Sequence, residues 1–87
     1  MTKTKHQPLE RLIDGSLRVS IWENEGQHGK HYSVTASRSY KDKQGNWQES
    51  HSYSRAELLQ LARMLEQAYD AIACYRASDR LEPENGS

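Results

Sequence analysis

The hydrophobic period of this chain changes once, at Ser54, and that change limits what the chain can fold into. Upstream, HYSVTASRSYKDKQGNWQESHSY (31–53) alternates on either side of Asp42-Lys43-Gln44-Gly45, the pattern of a β-hairpin. Downstream, SRAELLQLARMLEQAYDAI (54–72) repeats its apolar residues every three or four positions, as an amphipathic helix does. Ser54 with Glu57 three residues on makes a capping box, and Tyr53 with Leu58 fits the hydrophobic staple that accompanies one. No linker separates hairpin from helix, so the two belong to one packed unit.

Further upstream, Leu17, Val19 and Ile21 alternate with Arg18, Ser20 and Trp22, and Asp14-Gly15-Ser16 joins this run to residues 9–13. Residues 23–30 hold Gly26 and Gly29 and are expected to form a connecting loop. The pattern predicts an α+β fold, four antiparallel strands at about residues 9–13, 17–23, 31–41 and 46–53, followed by one C-terminal helix over 55–76. A single β-β-β-β-α domain then spans 9–76. A disordered N-terminus (1–8) precedes it, and a disordered acidic tail (77–87) with Asp79, Glu82 and Glu84 follows.

A four-residue turn at 42–45 would pair Lys41 with Asn46, Tyr40 with Trp47, Arg38 with Glu49, Ala36 with His51 and Val34 with Tyr53. The last four pairs share a face that is apolar near the helix and turns cationic and aromatic toward the turn. The opposite face is almost wholly hydroxyl and amide, with Ser33, Thr35, Ser37 and Ser39 against Gln48, Ser50 and Ser52, and must be wet. The hairpin is longer than a helix is wide, so its turn end extends past its cover.

At 87 residues the chain buries only ~60% of the surface its unfolded form exposes. It has no Phe, and five Tyr and two Trp carry the aromatic load. Along the helix, Leu58, Leu61, Ala62, Leu65, Ala68, Tyr69, Ile72 and Ala73 form a stripe that Met64 and Tyr75 widen to roughly 180°, against the ~100° that one sheet contact needs. Either a monomer core carries stray apolar residues, or the extra width packs on a second subunit. The small size of the chain favours a homodimer, with Leu61, Met64, Leu65, Ala68 and Tyr75 at or near the interface.

The single cysteine, Cys74, has no internal disulfide partner and suits a reducing cytoplasm. Basic residues 1–7 lack the apolar segment of a signal peptide, and no apolar run nears the ~20 residues of a membrane span, so a soluble cytoplasmic protein with no membrane partner is expected. The formal net charge is zero, with twelve basic and twelve acidic side chains. That balance excludes a strongly basic nucleic-acid binder and leaves room only for local affinity.

With IWENEG (21–26), SRSYKDKQGNW (37–47) and SYSRAELLQLARMLEQAY (52–69) in hand, the chain resembles a small, uncharacterised bacterial family that carries these motifs and brings no established activity. More distantly, the order of an aromatic-bearing strand, an Asp-x-x-Gly turn, a strand and a C-terminal helix resembles the single-stranded-DNA-binding transcriptional coactivator fold, which is related to the Whirly proteins. That resemblance implies a dimer, matches Asp42 and Gly45 to the turn, and places Tyr40 where that family has a base-stacking tryptophan.

Catalysis is not expected. His28 and His31, with Glu23 and Glu25 upstream, fall short of the four nitrogen or sulfur ligands of structural zinc because the only cysteine, Cys74, is far away in the helix, and Gly26 and Gly29 lack the strand–helix context of a phosphate loop. Neither metal nor cofactor is called for. The pattern points to a non-catalytic single-stranded DNA or RNA binder, an accessory to transcription or DNA metabolism. Tyr40 and Trp47 would stack on bases, and Lys30, Arg38, Lys41 and Lys43 would meet phosphates. The same rings would serve as a cross-strand pair and the same lysines as a solvated turn. The alternative function is a protein-interaction module or small regulator that uses a dimer surface or Trp22.

Overall fold

The computed structural model describes residues 7–86, with side chains through Asp79. The expected disorder at residues 1–6 lies outside the described residues. Four antiparallel strands, β1 (Glu10–Asp14), β2 (Leu17–Gly26), β3 (Gly29–Lys41) and β4 (Trp47–Ser50), form a meander in the order β1-β2-β3-β4, and one helix, α1 (Arg55–Gly86), follows. The α+β expectation holds.

Three local expectations do not. Residues 23–30 are a hairpin end rather than a loop. Glu23, Asn24 and Glu25 pair with Tyr32, His31 and Lys30, and Gly29, just past Gln27 and His28, takes a positive φ (111°) open to glycine. Polar cross-strand pairs hold this end: Lys30 lies 3.3 Å from Glu23, and Asn24 Nδ2 donates to Ser33 Oγ at 3.1 Å.

The second correction is the register of β3 on β4. Lys41 pairs with Trp47, Tyr40 with Gln48, Ser39 with Glu49 and Arg38 with Ser50, one residue away from the expected pairing. Asp42 is the cause. Its N–H donates to the Asn46 carbonyl (2.9 Å), while its Oδ1 accepts from the N–H groups of Gln44 (3.0 Å) and Asn46 (2.9 Å), and Gly45 sits at φ 86°. The loop therefore has three residues closed by Asp42 and Asn46, not four, and a slip of one residue exchanges the faces of β4. These hydrogen bonds, led by that from Asn46, hold the Asp42 carboxyl below its ordinary value. β4 is also shorter than the expected 46–53.

The third correction concerns the end of the helix. α1 continues past its expected end at Arg76 through Gly86. Asp79 ties it down by accepting from Lys30 Nζ (3.1 Å) and from the Tyr32 hydroxyl. Tyr32 stacks on Tyr75 at 5.8 Å, and the Tyr75 hydroxyl donates to Glu10 Oε1 at 2.9 Å.

At the other end of α1 the Glu57 half of the expected capping box forms, with Ser54 N–H donating to Glu57 Oε1 at 2.7 Å, while the Glu57 N–H donates to the Ser54 carbonyl at 3.0 Å. That bond pulls the Glu57 carboxyl below its ordinary value. Tyr53 packs on the core, whereas its expected staple partner Leu58 is exposed. The core itself is small. Leu17, Val19 and Ile21 of β2 are fully buried against Leu61, Met64 and Ala68 of α1, with Leu12, Val34 and Ala36 packed at the sides. The helix thus lies along β2 and covers one face of the sheet.

Truncating Ile21 to Ala leaves a void under α1 and should cost about 2–5 kcal/mol, against about 0.5–1.5 for Ile21→Val. Urea denaturation of the two variants checks this. The Asp79 clasp sets a pH window. The depressed Asp79 carboxyl contributes stability above its unfolded value that is lost as pH falls, and the raised Tyr32 and Lys30 groups contribute stability that is lost as pH rises. The clasp should be at full strength between about pH 4 and pH 10. Protection of the amides in 72–79 should drop below that range, and Asp79→Asn should remove the acid limb.

Candidate nucleic-acid interface

Side chains alternate across a strand, and directly paired residues share a face. Because Leu17, Val19 and Ile21 point to α1, Arg18, Ser20 and Trp22 point away from it. Pairing carries this outward: Arg11 lies opposite Ser20, Ile13 opposite Arg18, Ser33 opposite Trp22, Thr35 opposite Ser20 and Ser37 opposite Arg18. On the far side Ser39 faces Glu49 and Lys41 faces Trp47. No element among the described residues covers this face.

The result is a shallow polar surface with two indoles. Trp22 Nε1 donates to Thr35 Oγ1 at 2.9 Å, which fixes that ring across the strand pair. The Trp47 side of the face is more open, with Trp47 67% exposed and Lys41 Nζ 5.3 Å from its ring centroid. Between the indoles, the small buried residues Ser20 and Ser37 form a floor. Two hollows lie along it. One of about 280 Å³ is bordered by Arg11, Arg18, Trp22 and Thr35, and one of about 790 Å³ by Arg18, Ser39, Trp47 and Glu49. Arg18 and Glu49 line both, so the hollows form one trough. His51 borders the smaller hollow, its Nδ1 2.9 Å from the Ala36 carbonyl as donor.

The residues singled out in sequence divide between locations. Lys41 and Trp47 share the uncovered face, and Lys43 is exposed in the turn beside them. Arg38 and Tyr40 lie on the helix side, so Tyr40 and Trp47 occupy opposite faces rather than forming a pair. Arg38 is engaged: its Nε donates to the Ser52 carbonyl (3.0 Å), lies 3.6 Å from Glu57, and its guanidinium sits 5.5 Å from the Tyr40 ring centroid. It pins the β4–α1 connection and does not face Glu49. Lys30 lies at the far end of β3 between Glu23 and Asp79, whose hydrogen bonds, that of Asp79 foremost, raise its pKa above the ordinary value.

The expected dimer residues also separate. Leu61, Met64 and Ala68 are buried in the monomer's own core, and Tyr75 is held by Tyr32 and Glu10, which leaves Leu65 exposed. The arc is nevertheless wider than the sheet covers, since Leu58 and Tyr69 are exposed beside Leu65.

Arg11 and Arg18 were missed in sequence, and Trp22 was considered only for protein contacts. The signal was the β2 alternation, which already places Arg18 and Trp22 opposite the apolar triplet. Among the described residues, no group of three or more His, Cys, Asp or Glu is placed to hold a metal, and no helix is long and apolar enough to cross a membrane. No family model, curated protein or solved structure matches the chain.

Proposed function

We propose that this protein binds single-stranded DNA or RNA, without catalysis, across the uncovered face of its sheet. What carries the reading is the composition of that face: two indoles, the cations Arg11, Arg18 and Lys41, a serine-threonine floor, and one carboxylate, Glu49. Among the described residues neither Arg11 nor Arg18 is ion-paired, unlike Lys30 and Arg38. Unpaired cations track a phosphate backbone, hydroxyls donate to its oxygens, and indoles offer base-stacking surface. Accessory work in transcription or DNA metabolism, in a reducing cytoplasm suited to the lone Cys74, is the setting this reading favours.

A titration with labelled oligo-dT and oligo-rU at several salt concentrations tests it. Affinity should fall steeply with salt. Replacing Arg11 and Lys41 with Gln should flatten the slope by up to about 1.4 for two lost contacts, at ~0.7 per contact on single strands. Trp47→Ala should cost about 1–3 kcal/mol of binding with little change in slope, because stacking releases few ions. Folded protein that binds no single strand at low salt overturns the proposal and leaves a protein-interaction module in its place.

The second part of the proposal is a homodimer, with a second copy seated along Leu58, Leu65 and Tyr69. These side chains are 52%, 41% and 76% exposed and follow one another at seven and four residues, a continuous stripe adjoining the core stripe. The stripe lies on α1, and the uncovered sheet face points the other way, so pairing would leave two binding tracks free. Sedimentation at tens of micromolar should give twice the 10.1 kDa chain mass. Leu65→Glu with Tyr69→Gln should give a folded monomer, and a compact wild-type monomer overturns this part.

A further inference from the structure

The trough beside Trp47 has a polarity that backbone binding does not require. Arg18 on β2 and Glu49 on β4 both line it, yet among the described residues they form no ion pair. Strand β3 lies between them, with Ser37 opposite Arg18 and Ser39 opposite Glu49, so their backbones stand two inter-strand spacings apart and two residues out of step, ~12 Å. The serines leave the gap open. Its volume of about 790 Å³ falls within the ~300–1,000 Å³ typical of small-ligand pockets. One side is Trp47, largely exposed, with Lys41 Nζ 5.3 Å from its ring centroid.

A carboxylate on a surface that binds phosphates weakens that binding, unless it accepts hydrogen bonds from a base edge. Guanine is the base that suits this arrangement. Its N1–H and N2–H₂ are adjacent donors in one plane, matching the two oxygens of a carboxylate, and its O6 and N7 match a guanidinium. Cytosine and adenine offer a carboxylate one exocyclic amino group. Thymine and uracil offer a single N3–H flanked by carbonyl oxygens that a carboxylate repels.

We propose that this trough is a guanine subsite, in which a base stacks on Trp47 with its Watson–Crick edge on Glu49 and its O6/N7 edge toward Arg18. The assignment rests on the uncovered face being the strand-binding surface, and it adds a base preference to that reading.

The test compares three oligonucleotides by quenching of tryptophan fluorescence: all-dT, the same strand with one central guanine, and the same strand with inosine there, which lacks the 2-amino group. The guanine strand should bind about tenfold tighter than all-dT, within what one bidentate base contact contributes. Inosine should lose most of that difference. Glu49→Gln changes an exposed side chain, and it should keep or improve binding of all-dT while bringing guanine and thymine within about twofold. Equal binding of the guanine and dT strands by the native protein, or a guanine preference that survives Glu49→Gln, overturns the subsite while leaving strand binding intact. Absence of binding to all three overturns the surface itself.

Discussion

The burial of Leu17, Val19 and Ile21 under α1 determines the rest of this structure. These three side chains are fully buried, and in a core with so few other members they set which face of the sheet the single helix covers. Strand alternation then assigns every other residue of the sheet a side. Arg18, Ser20 and Trp22 face away from the helix because their neighbours in sequence cannot be left in water. The uncovered face and its chemistry are therefore a by-product of core formation, which makes the core and the candidate site hard to change independently.

The same constraint explains which cations are available. Arg38 and Lys30 are on the helix side, where carboxylates of α1 and β2 are within reach, and both are ion-paired there. Arg11, Arg18 and Lys41 are on the side where the sheet has one carboxylate, Glu49. A chain with no net charge can in this way present a locally basic surface. Exposed ion pairs contribute little individually, and it is strand alternation, not pairing, that sets the side on which each cation lies.

Much of the fold was legible in the sequence, because strand alternation, the Ser54–Glu57 cap and the helical stripe are local signals. The site was less so. Pairing Tyr40 with Trp47 depended on the turn length, and Asp42 decides that length through hydrogen bonds from Gln44 and Asn46 that composition does not reveal. One residue of slip moved Trp47 to the hydroxyl face. Gly26 and Gly29 read as strand breakers, yet they close a strand pair. The helix beyond Arg76 depends on Asp79 meeting Lys30 and Tyr32, 49 and 47 residues away in sequence, which no local pattern predicts. The wide apolar arc was visible, but which half the sheet takes depends on where the helix lies.

The face assignment is tested most directly by following the two indole N–H resonances and the backbone amides during titration with oligo-dT. Binding across the uncovered face should shift both indoles together with the amides of Arg11, Arg18, Thr35, Ser37 and Ser39, while those of Leu61, Met64 and Ala68 stay in place. Shifts confined to α1 and to Arg38 and Tyr40, or no shift at low salt, would contradict it.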